Sequence, residues 1–145
     1  MRLTFKASML ATGLLAISLH SSANNAPELT YLNSQPQHII DAGCAMFHEQ
    51  DYGKPNARWV GMFDYAITPA VFGINGEDVN LSPQGNGLVN PGQQVTASAN
   101  GVNLRITAGE NIPCDFECSA NKAKLELTDS SGQSNSYSVI FQCDI

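Results

Sequence analysis

The dipeptide Asn100-Gly101 constrains this chain more than any other feature. It stands between two runs, 93–99 and 102–107, in which apolar and polar residues alternate. Asn-Gly suits a type I′ turn because both central residues must take positive φ, and that turn matches the twist of a two-strand ribbon. A two-residue loop then pairs Ala99 with Val102, Ala97 with Leu104 and Val95 with Ile106. All six are apolar and share one face. The other face carries Ser98 with Asn103, Thr96 with Arg105 and Gln94 with Thr107. A slip of one residue would turn the whole apolar set outward, so turn chemistry and burial pattern specify one register.

The same logic extends along the chain. A turn at Asn75-Gly76 pairs Ile74 with Glu77, Phe72 with Val79 and Ala70 with Leu81. A third hairpin runs from 122–128 through a loop at 129–135 to 136–143. It places Ala123, Leu125 and Leu127 inward, with Tyr137, Val139, Phe141 and Cys143 sharing a face on the return strand. Residues 58–65 read as a central strand, with Trp59, Phe63 and Tyr65 on one side and Val60 and Met62 on the other. Residues 44–48 and 29–33 read as shorter strands. Loops are expected at 50–57 and, rich in Gly, Pro and Asn, at 82–92. No helical periodicity competes with this pattern. The expected fold is all-β, an antiparallel β-sandwich or small barrel of about eight strands.

The first 23 residues read as a secretory signal peptide. Arg2 and Lys6 precede an apolar run at 7–19 that is too short to span a bilayer, and Ser21-Ser22-Ala23 offers a peptidase small side chains. A second cleavage site follows Ala26. The remainder, 24–145, is the length of one domain. No cysteine follows the apolar run closely enough to carry a lipid, so a soluble protein without a membrane anchor is expected, in the periplasm or outside the cell.

Export changes the meaning of the four cysteines, since an oxidising compartment makes disulfides the default. Three connectivities are open. The expected one joins Cys114 to Cys118 as a local clip and Cys44 to Cys143 as a long staple. A zinc reading of Cys114 and Cys118 lacks a second close ligand pair.

Charge narrows the partners. Of seven cations, two lie in the signal, so five face all 13 carboxylates and the net charge falls from −6 to −8 after cleavage. Such a surface repels nucleic acid and anionic membranes, which bind through displaced counterions. A basic protein partner is the complementary expectation.

Catalytic constellations are not apparent. His38 and His48 are the only histidines after the signal, and no Gly-x-Ser-x-Gly elbow occurs. Glu77 and Asp78 alternate sides of a strand, so they cannot converge on one substrate. Asp115 and Glu117 lie inside the expected disulfide clip. Asp129 opens a turn that offers too few carboxylates for a calcium loop. Asn80-Leu81-Ser82 matches a glycosylation sequon. No enzyme activity, metal or cofactor is expected.

The order of Ala42-Gly43-Cys44, residues 71–81, the strand 101–107 and a cysteine ending the last strand resembles small exported β proteins of Gram-negative bacteria. The Ile74-Asn75-Gly76-x-x-Val79-x-Leu81 element is similar to a strand pair of the periplasmic lysozyme inhibitors. That resemblance implies a barrel or sandwich that inserts a loop into the active cleft of a basic enzyme. The inhibitors' Ser-Gly-x-x-Tyr loop has as its nearest counterpart Ser82-Pro-Gln-Gly85, which lacks the tyrosine. The expected function is therefore a binding or inhibitory scaffold for a basic partner such as a cell-wall hydrolase. Its partner loop would carry Ser82, Gln84, Gly85, Asn86 and Leu88. Immunity against a periplasm-delivered toxin, or an accessory role, are the alternatives.

Overall fold

The computed structural model describes residues 25–35, 43–64, 70–85, 87–114 and 117–144. The expected signal peptide, His38, Tyr65, Asn86 and Asp115 lie outside them. Ten antiparallel strands form one sheet: β1 (Leu29–Thr30), β2 (Gly43–His48), β3 (Trp59–Asp64), β4 (Ala70–Ile74), β5 (Glu77–Leu81), β6 (Gln84–Gly85), β7 (Gln94–Ala99), β8 (Val102–Ile112), β9 (Cys118–Asp129) and β10 (Ser134–Asp144). Among the described residues a single 3-10 turn, Glu49–Asp51, is the only helical element.

The topology is a meander. β2, β3, β4 and β5 pair in succession, as do β6, β7, β8, β9 and β10, and β10 returns to pair with β2. The ladder is not closed. After β5 the chain crosses at Ser82-Pro83 into β6, which pairs with β7, so covalent continuity spans the place where hydrogen bonding stops. The sheet thus rolls around one core. Phe72, Phe141, Leu104, Ile106, Leu125, Leu127 and Val139 are nearly or wholly inaccessible there.

The first two hairpins keep the registers that the sequence specifies, while the third turns within 130–133 and not across the expected loop at 129–135. Ala99↔Val102, Ala97↔Leu104 and Val95↔Ile106 pair across Asn100-Gly101, and Ile74↔Glu77, Phe72↔Val79 and Ala70↔Leu81 pair across Asn75-Gly76. All four turn residues have positive φ. The third hairpin is longer at both ends than its alternation indicates, with Ser134↔Thr128 and Asp144↔Cys118 as its limits.

β3 departs from the expected alternation. Met46 pairs with Gly61 but Phe47 pairs with Trp59, so Val60 is an inserted residue. The bulge puts Val60 in the main core and turns Trp59 to the outer face beside Phe47, Ala45 and Leu32, with Met62 packed against them. The expected pairing of Trp59 with Phe63 and of Val60 with Met62 is therefore corrected. Gly61 faces the core, and a Cβ there would lie 2.4 Å from the Phe72 ring, so the missing side chain makes room for Phe72.

Both disulfides form as expected, Cys44–Cys143 and Cys114–Cys118. Cys44 and Cys143 are directly opposed on β2 and β10 with Cα atoms 4.0 Å apart, so the long staple ties the meander's return pairing. β1 is shorter than expected. Past Thr30 the chain bonds through Leu32 N to Trp59 O at 2.9 Å, and the Gln35 side chain bridges Leu32 O and Trp59 N.

Candidate functional site

Beyond the seam between β5 and β6, residues 82–85 and 87–92 are fastened to the sheet. Gln84 and Gly85 pair with Thr96 and Val95. Gly85 sits so close to β7 that a Cβ would meet the Gln94 carbonyl at 2.2 Å. Leu88 is buried in the core, 3% exposed, so its side chain anchors the loop and is not offered to a partner. Next to it, Val89 is 51% exposed and is the one large hydrophobic side chain so presented among the described residues. The far side is closed by backbone bonds: Gly92 N donates to Ala108 O at 2.8 Å and Ala108 N to Gln93 O at 2.9 Å. Asn90 N donates to Gln93 Oε1 at 2.8 Å.

A buried amide completes the fastening. Asn121 is 2% exposed and is the one buried polar side chain among the described residues. Its Nδ2 donates to Asn111 Oδ1 and, at 3.4 Å, to the Val89 carbonyl. A second bulge explains the pairing. Between Ala108↔Ala123 and Asn111↔Asn121, β8 spends one more residue than β9, which brings Asn111 opposite Asn121. Buried amides persist only when paired, so this network fixes where Val89 stands. The sequence contains the clue: Asn121 lies in phase with the inward residues Ala123, Leu125 and Leu127, where an amide is out of place.

Ser82, Gln84 and Gly85 of the expected partner loop are exposed. The other candidates do not assemble. Asp78 accepts Asn33 N at 2.7 Å and Ser34 N at 3.2 Å, holding the chain after β1, while Glu77 is exposed beside the turn. Asp129 accepts Ser131 N, Ser131 Oγ and Gln133 N, as a turn residue would. Glu117 is exposed with positive φ. No group of three metal-ligating side chains occurs among the described residues.

A second cluster forms where the 49–58 loop meets the segment after β1. The Tyr31 hydroxyl donates to Asp51 Oδ2 at 2.6 Å, and the Arg58 guanidinium lies 4.5 Å above the Tyr31 ring. His48 stands between Tyr31 and Tyr137, with centroids at 5.4 and 6.1 Å. The bond to Asp51 raises the Tyr31 pKa and lowers that of Asp51, and burial lowers that of His48 against the pull of Asp51. The cluster acts as a joint, holding this loop over the outer apolar group of Phe47 and Trp59.

The fold and its loops define a disulfide-stapled, antiparallel β scaffold that displays, among the described residues, one exposed large aliphatic side chain on a fastened loop. No family model matches the chain, and neither a curated protein nor a solved structure is significantly similar to it.

Proposed function

We propose that the chain is an exported binding protein that inhibits a basic partner, such as a cell-wall hydrolase, by docking the 82–92 loop in its cleft. One observation carries the reading: Val89 is exposed at the tip of a loop anchored by buried Leu88 and held by buried Asn121. A loop already ordered in its docking conformation loses little entropy on binding. An exposed aliphatic tip supplies apolar area to the partner's cleft.

Electrostatics sets the sign of the partner. Lys54 pairs with Asp51, Arg105 and Lys124 with Glu126, and Lys122 with Glu49 and Glu110, at 2.8 to 3.7 Å. Arg58 is engaged by Tyr31. Among the described residues no cation pairs with Glu28, Glu77, Asp78, Glu117 or Asp129, so the uncompensated charge is negative. It steers a cationic protein, and salt weakens that steering.

The test is turbidity clearance of cell walls by basic hydrolases, lysozyme first, with and without the protein. Suppression at low salt that weakens as salt rises is the expected result. Full activity of every cationic hydrolase tried would refute the reading.

A further inference from the structure

The two disulfides are placed very differently. Cys44 and Cys143 are 2% and 1% exposed, lie on adjacent strands of the core and close 99 residues of chain. Cys114 and Cys118 are partly exposed and only four residues apart. They open on a surface groove lined by Phe47, Tyr52, Lys54, Pro113 and Gln142. Exchange requires a thiolate to reach a sulfur, so access separates labile disulfides from inert ones.

We propose that Cys114–Cys118 is a thiol–disulfide exchange site whose opening unfastens the Val89 loop. The connection is short and continuous. The clip closes the end of the β8–β9 hairpin. The next two rungs inward are Ile112↔Ala120 and Asn111↔Asn121. Asn121 is the residue whose amide holds both Asn111 and the Val89 carbonyl. β10 holds the other edge of β9 as far as Asp144↔Cys118, so with the clip shut the β8 end cannot peel from β9. With it open, the β8 rungs at Asn111 and Ile112 are free to open locally, and the Asn121 amide loses its Asn111 partner.

The step needs a dithiol reductant. One of its thiolates attacks a clip sulfur, the S–S bond breaks, and the other cysteine leaves as a thiolate that takes up a proton. The reagent's second thiol then displaces the bound cysteine. The chain gains two thiols and the reagent becomes a disulfide, so two electrons pass to the clip. The core disulfide offers no such approach.

This inference rests on the reading of the 82–92 loop as the docking element, but its test involves no partner. The folded oxidised protein is treated with dithiothreitol without denaturant, and thiols are trapped with N-ethylmaleimide and mapped. Alkylation of Cys114 and Cys118 is expected to run at least about tenfold faster than that of Cys44 and Cys143. Amide exchange at 87–93 should rise about tenfold on reduction, while 49–58 stays unchanged. The double variant Cys114→Ser/Cys118→Ser should show the same loosening without reductant. Reduction of both pairs together, or unchanged exchange at 87–93 in either the reduced protein or the variant, would overturn the inference. If oxidised wild type inhibits no hydrolase, the docking reading fails, while the exchange result still decides the coupling.

Discussion

Two loops stand out from the rolled sheet, and they are held by opposite means. The 82–92 loop is fastened by backbone bonds, a buried leucine and a buried amide, none of which titrates near neutral pH. The 49–58 loop is fastened by Tyr31, Asp51, Arg58 and His48, whose bonds depend on charge. The first displays an apolar tip; the second covers apolar surface of its own sheet. A docking element should keep its shape across conditions, and the neutral fastening provides that. The other loop is held by groups whose ionisation is shifted: Tyr31 upward, Asp51 and His48 downward.

Removing the shared scaffold should break the comparison altogether. Cys44→Ala/Cys143→Ala is expected to cost about 2–5 kcal/mol, lowering the denaturation midpoint and loosening both loops together. A loss confined to one loop would show that they do not share this support.

Asn121→Leu should separate them. It strips the Val89 carbonyl and Asn111 of their donor, at an expected cost of about 1–3 kcal/mol. Amide exchange should rise at 87–93 and not at 49–58. Tyr31→Phe is the converse, with a smaller fall in melting temperature and the change limited to 49–58.

Acidification gives the smallest effect and a definite sign. Burial lowers the His48 pKa below 6.5, so the unfolded chain binds a proton more readily than the folded one. Stability is therefore fully present above about pH 6.5 and declines as pH falls toward the folded pKa. His48→Phe should flatten that part of the melting-temperature profile. An unchanged slope would show that His48 is not its source.

These differences also explain what was legible in the sequence. In β7 and the first half of β8 the facing residues could be read, because period-two patterning and an Asn-Gly turn leave one register, whereas β8 and β9 run on past the alternation toward the Cys114–Cys118 clip. β3 is apolar on both faces, so its pattern carried no phase, and the Val60 bulge could not be located. The seam between β5 and β7 was invisible because Ser82-Pro83 reads only as loop. The disulfide partners followed from inward phase and proximity. For the candidate site, composition marked the 82–92 loop, but the roles within it were reversed: Leu88 is the anchor and Val89 the tip. Fastening by Asn121 joins residues 32 apart in sequence and depends on a bulge in β8 that the alternation does not show.

The central claim is that Val89 on its fastened loop is the docking tip. Its most direct measurement is the affinity of a basic hydrolase for wild type, Val89→Ser and, as a charge-neutral control on the outer polar face, Ser134→Ala. Val89→Ser should bind at least about tenfold more weakly with an unchanged melting temperature, since one buried aliphatic side chain contributes that much, and Ser134→Ala should bind as wild type does. Equal affinity for wild type and Val89→Ser would contradict the claim.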